Sequence, residues 1–158
     1  MKKLILILLI TSICYSQDRV GFGIFQDAKL LLGQDKKYGN DKPTLDGVFY
    51  FELEGKQLNK YYFSVQNFYQ IAELSGGRLQ RYGVNGVWNF NQFNKTTASI
   101  GLGVSCLNRF GYSLGSYQFV SELSYKIYKK IKISLRYEYV RRSDIELFRS
   151  NGSFGIKI

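Results

Sequence analysis

The sequence predicts an all-β chain whose eight strands close into an antiparallel up-and-down barrel. Three observations carry this. From Ile131 to Tyr139 the residues alternate without a break, with Ile131, Ile133, Leu135, Tyr137 and Tyr139 set against Lys132, Ser134, Arg136 and Glu138. Successive side chains of a strand leave opposite faces, so a period of two marks a strand. The composition agrees: Tyr and Phe together number 25, glycine 16 and proline one, with no sustained 3.6-residue periodicity beyond the first residues. The same alternation then recurs in segments of regular spacing joined by short, turn-rich links.

The chain opens MKKLILILLITSICYSQ. Lys2 and Lys3 are a basic start, Leu4–Ile10 an apolar run, and Cys14-Tyr15-Ser16 a small-x-small site. This pattern predicts a secretory signal peptide over residues 1–16, cut before Gln17, with residues 17–158 as one barrel domain. The apolar run is too short for a transmembrane helix. Ile13 is bulky where a lipid-attachment site before Cys14 wants a small residue.

After cleavage the chain keeps 20 basic residues (22 less two lysines) and 12 acidic ones, a net charge of +8. The bases are scattered, so an anionic lipid surface is the expected partner and nucleic acid is not. Cys106 is then the lone cysteine, which excludes an intrachain disulfide.

The first strand is expected over Val20–Leu32, with Val20, Phe22 and Ile24 opposing Gly21, Gly23, Phe25 and Asp27. A polar link, GQDKKYGNDKP, leads to the second over Thr44–Glu54, where Phe49, Phe51 and Leu53 oppose Val48, Tyr50, Glu52 and Glu54. The third, Lys60–Ala72, sets Tyr61, Phe63, Val65, Tyr69 and Ile71 against Tyr62, Ser64, Gln66, Phe68 and Gln70. The fourth, Leu79–Phe90, sets Tyr82, Val84, Trp88 and Phe90 against Arg81, Gly83, Asn85 and Asn89. The fifth, Thr96–Leu107, sets Ala98, Ile100, Leu102, Val104 and Cys106 against small and polar residues including Gly101 and Gly103. The sixth, Leu114–Tyr128, sets Tyr117, Phe119, Leu123, Tyr125 and Ile127 against Gln118, Val120, Glu122, Ser124 and Lys126. A tight turn at Lys129-Lys130 precedes the seventh, which ends at Arg142. The eighth is Arg149–Ile158, with Phe154, Ile156 and Ile158 opposing Ser153, Gly155 and Lys157. Links at 33–43, 73–78, 108–113 and 143–148 are expected at one end of the barrel.

Volume decides which face meets the lumen. Eight strands leave an interior just wide enough for side chains. The many rings of the apolar set would overfill it, whereas the polar set is interleaved with Gly21, Gly23, Gly83, Gly101, Gly103 and Gly155. The apolar set is therefore expected outside, against lipid, making the barrel a transmembrane one. Tyr61, Trp88, Phe90, Tyr125 and Tyr139 are expected as interfacial girdles. Inside, Glu52, Arg81, Glu122, Arg136 and Glu138 must pair, because an unpaired buried charge costs several kcal/mol. A salt-bridged structural plug is the expected role, with a gated ion path as the alternative.

In this pattern the chain resembles the small eight-stranded outer-membrane barrels of Gram-negative bacteria. The Tyr15-Ser16-Gln17 junction resembles signal peptides of the Bacteroidetes group. The closing strand RSNGSFGIKI alternates as the family's does, although Ile158 stands where these barrels usually end in an aromatic residue. The resemblance implies an outer-membrane location, an even strand number with both termini in the periplasm, and a monomer whose partners are outer-membrane lipid and lipopolysaccharide. Arg141, Arg142 and Arg149 near one rim are the expected lipopolysaccharide contacts, since arginine forks suit phosphate.

No catalytic residues, metal site or cofactor site are expected. The chain has no histidine, which removes Ser-His catalysis and the commonest metal ligand. The stretch Tyr137–Asp144 resembles a strand end of lipid A deacylase barrels, with Ser143 at the place of the catalytic serine. Arg141 occupies the histidine's place, and arginine cannot act as a general base near neutral pH. A non-enzymatic structural or surface-interaction barrel is the expectation. The alternatives are a lipid A-modifying hydrolase-like barrel and a soluble lipocalin-like periplasmic carrier.

Overall fold

The computed structural model describes residues 17–31, 46–74, 77–93, 95–109, 111–142 and 148–158. The leader, the link at 33–43 and Ser143 lie outside them. Eight strands run in chain order: β1 (Gln17–Asp27), β2 (Asp46–Gly55), β3 (Tyr61–Leu74), β4 (Gly77–Phe93), β5 (Thr96–Arg109), β6 (Tyr112–Tyr128), β7 (Ile131–Arg142) and β8 (Phe148–Lys157). Each pairs antiparallel with the next, and β1 pairs with β8, so the barrel is closed. Closure matters because an open edge leaves backbone N–H and C=O groups without partners. At the seam Phe22 and Ile158 exchange backbone hydrogen bonds of 3.0 and 2.8 Å.

Two expectations about boundaries are corrected. The first strand stops at Asp27, and Ala28–Leu31 forms a short helix, α1. Ladder partners for β1 run out at Ser153 on β8 and Gly47 on β2, and a helical turn gives the backbone a local alternative. The links at 73–78 and 108–113 shrink to two residues each, because the hairpin registers continue through Leu74↔Gly77 and Arg109↔Tyr112. Gly111 takes a positive φ of 79° in the second turn, a conformation glycine adopts without strain.

The two faces sort as the alternation requires. Phe51, Phe119 and Tyr137 are about two-fifths exposed on the outer wall, while Glu122, Arg136 and Glu138 are buried inside. Along β6 the outward apolar residues extend from Tyr117 to Ile127. Ten residue steps at about 3.3 Å, tilted by roughly 40°, give a band about 25 Å tall. Tyr61, Phe63, Trp88 and Tyr125 gather toward one end of this wall, and Tyr69, Tyr82, Tyr117 and Tyr139 toward the other. Edge-to-face pairs join Tyr61 to Phe90 (5.6 Å between centroids) and Phe63 to Trp88 (6.1 Å). The carrier alternative fails here, because its greasy cavity would need these rings inside. Lys126, counted with the inner set, is instead exposed at the barrel's end.

The lumen is filled in layers. Phe25, Val48, Tyr50 and Phe68 form an apolar cluster beside the charges, and Ala72, Leu79 and Leu107 form a second toward the end where β3 stops at Leu74 and β4 starts at Gly77. Glycines make room where inward side chains are large. A Cβ on Gly155 would fall 2.6 Å from the Phe25 ring and collide with the Ile24 carbonyl oxygen, whereas one on Gly152, facing outward, meets nothing within 4 Å. Gly155→Ala is therefore expected to lower the unfolding free energy by about 1–3 kcal/mol. Gly152→Ala should stay within about 0.5 kcal/mol of the parent. Urea titration of the micelle-folded variants reads both; equal effects would contradict the packing.

Candidate functional site

The inward row of β7 supplies Ser134, Arg136 and Glu138, each two residues apart and so on one face. The register sets Arg136 opposite Glu122 on β6. Arg136 Nη1 donates to Glu122 Oε2 at 2.9 Å and to Gln66 Oε1 at 3.0 Å, and its Nε donates to Glu138 Oε1 at 2.9 Å. Glu138 also accepts from the Tyr50 hydroxyl at 2.5 Å, and its Oε2 pairs with Arg81 Nη2. Glu122 Oε1 accepts from Lys157 Nζ at 3.0 Å and from Ser124 Oγ at 2.8 Å. Lys157 Nζ lies 2.6 Å from Glu52 Oε2, while Glu52 Oε1 accepts from Ser64 Oγ at 2.5 Å and Gln66 Nε2 at 3.1 Å.

All five charges singled out in the sequence thus fall in one connected network. Those five sum to minus one, three carboxylates against two guanidinium groups. The sixth member, Lys157, brings the sum to zero. Sequence reasoning placed Lys157 on the inner face but left it out of the network; the charge imbalance was the signal that a further cation had to be present. Tyr50 was missed for a different reason. A ring in an inward row reads as filler until its hydroxyl finds a carboxylate.

The network crosses the lumen instead of running around it. Tyr50 and Glu52 come from β2, Gln66 from β3, Arg81 from β4, Glu122 from β6, Arg136 and Glu138 from β7 and Lys157 from β8. Aromatic faces complete it: the Arg136 guanidinium carbon stands 4.0 Å from the Tyr50 ring centre, and that of Arg81 stands 4.9 Å from Phe68. Arg136 Nη2 and Arg81 Nε have no hydrogen-bond acceptor, so ring contact substitutes in part for an oxygen partner. The named charged side chains are all at least nine-tenths buried, so this level is closed to water.

A neutral network flanks it. Asn89 Nδ2 donates to Ser64 Oγ at 2.8 Å, Ser99 Oγ donates to Asn89 Oδ1 at 2.6 Å, and Gln118 Nε2 donates to Asn85 Oδ1. No group of three or more metal-ligating side chains occurs among the described residues. Arg141 is exposed on the outer wall beside Tyr117, Phe119 and Tyr139. The backbones of Arg142 and Arg149 pair with Ser116 and Val140, and their side chains lie outside the described residues.

Architecture and lumen define an eight-stranded barrel with an apolar exterior and a charged, filled interior, the fold of small outer-membrane barrels. Among solved structures it is similar to the outer membrane protein Ail of Yersinia pestis, determined in a phospholipid bilayer nanodisc. The TM-score is 0.61 at 15% identity, covering 90% of this chain and 97% of that one. It is also similar to Neisserial surface protein A, with a TM-score of 0.51 at 11% identity, covering 88% and 94%. No family model and no curated protein sequence matches the chain.

Removing one partner from a buried network strands the others. Arg136→Met leaves Glu122 and Glu138 short of a cation and is expected to cost about 3–5 kcal/mol of folding stability. Adding Glu138→Gln restores neutrality and should recover part of that loss, a coupling read by a double-mutant cycle in urea. Additive losses would mean that the two side chains do not act together.

Proposed function

We propose that the chain is a non-enzymatic barrel of the Gram-negative outer membrane with a structural or surface-interaction role. The observation that carries this reading is the continuous apolar outer wall around a lumen crossed by buried, ion-paired side chains. A surface of that extent in water would drive aggregation, whereas hydrocarbon suits it. The lumen network is read as structural, since its side chains cross-brace strands and close the path an ion would need. Residues 1–16 are read as the export leader, removed before Gln17. The end bearing the 129–130 turn then faces the periplasm, and the links at 33–43 and 143–148 face the exterior. Arg141, Arg142 and Arg149 belong to that outer end and are read as lipopolysaccharide contacts of a monomeric barrel. Hydrolase chemistry is not supported: arginine replaces the base at position 141.

Expression of the full chain in a Gram-negative host tests this. The product is expected in the outer-membrane fraction, with Gln17 as its first residue by mass spectrometry. It should change electrophoretic mobility on boiling, as a closed barrel stays folded in the gel detergent until it is heated. Recovery as a detergent-free soluble periplasmic protein would overturn the reading.

A further inference from the structure

The lumen opens at the 129–130 end into a cleft of about 750 Å³, within the size range of small-ligand pockets. Its floor is Lys157 and Glu52, the outermost pair of the buried network. Its walls carry Arg19, Lys126, Lys129, Lys130 and Lys132, with Glu54 as the other acid. Six cations therefore face two carboxylates, and three if a carboxyl group at Ile158 is counted.

The register makes this arrangement unusual. Lys126 on β6 pairs with Lys132 on β7, and Lys132 pairs with Lys157 on β8. Three lysines thus stand side by side across adjacent strands. Like charges directly opposite one another destabilise a sheet. Lys157 is neutralised by Glu52 and Glu122, and Lys132 reaches Glu54 at only 3.8 Å. An anion held between the ammonium groups in the cleft would relieve that repulsion. Several lysines around one concavity, with the floor sealed, suit a compact polyanion better than a monovalent carboxylate.

We propose that this cleft is a binding site for a phosphate-bearing anion, either the headgroup of an anionic phospholipid or a free phosphorylated molecule. The site goes beyond the membrane reading and stands on barrel geometry alone. It predicts binding in uncharged detergent, without any bilayer.

The test uses the mature barrel in uncharged micelles titrated with inorganic pyrophosphate, followed by calorimetry at fixed ionic strength. Saturable binding is expected. Lys126→Gln/Lys132→Gln should weaken it about tenfold or more. Lys56→Gln/Lys60→Gln removes the same charge from the neighbouring 56–60 turn, outside the cleft, and should leave it within about twofold. If the first pair does not fold, Lys129→Gln/Lys130→Gln in the turn replaces it with the same expectation. A second arm compares nanodiscs of zwitterionic lipid with nanodiscs containing phosphatidylglycerol. Loss of pyrophosphate binding only in the latter identifies a lipid headgroup as the occupant, and retention identifies a free phosphorylated molecule. No saturable binding, or equal weakening by both lysine pairs, would overturn the proposal.

Discussion

Arg136 lies between Glu122 and Glu138 at a level of the barrel that water does not reach. An ion brought there without a partner costs several kcal/mol, so each charge on the inner face constrains the others. That constraint fixes more than a set of contacts. Lys157 must come from β8 to meet Glu52 from β2, which ties together the two strands flanking β1. Arg81 from β4 must meet Glu138 from β7, which spans the lumen. A register slip of one residue in β7 would turn Arg136 and Glu138 outward and bring Leu135 and Tyr137 inside, so the network specifies the pairing as well as the filling.

The same inversion explains the exterior. A soluble barrel gathers its rings inside, whereas here the inner volume is occupied by ions, amides and a few rings that serve them. Phe25, Tyr50 and Phe68 are buried next to the guanidinium groups of Arg81 and Arg136. Ala72, Leu79 and Leu107 fill the lumen toward one end, most of the other large apolar side chains line the wall, and closure of β1 on β8 leaves the ladder without an open edge. A hydrocarbon phase accepts such a surface because neighbouring strands pair their backbone groups all the way round the closed barrel.

Much of this was legible in the sequence because a strand has only two faces. Once alternation was read, the sides occupied by Glu52, Arg81, Glu122, Arg136 and Glu138 followed, and small volume sent the rings outward. Boundaries were less legible. Clustered turn formers, Ser75-Gly76-Gly77 and the Asn, Gly and Ser of Asn108–Ser113, read as links in sequence, whereas the strand registers continue up to them. The helix at Ala28–Leu31 was hidden because Ala28 and Leu30 fit either periodicity. The row Lys126–Lys132–Lys157 depends on register across three strands, which the sequence of any one strand does not contain.

The central claim is that the outer wall meets hydrocarbon, and the chain's single tryptophan, Trp88, reports on it directly. Trp88 is 48% exposed on that wall, between Phe63 and Ile100 in the register. The decisive measurement is its fluorescence in vesicles whose acyl chains carry bromine, compared with quenching by iodide in the water. The account predicts strong quenching by the brominated lipid and little by iodide. Strong quenching by iodide with none from the lipid would contradict it.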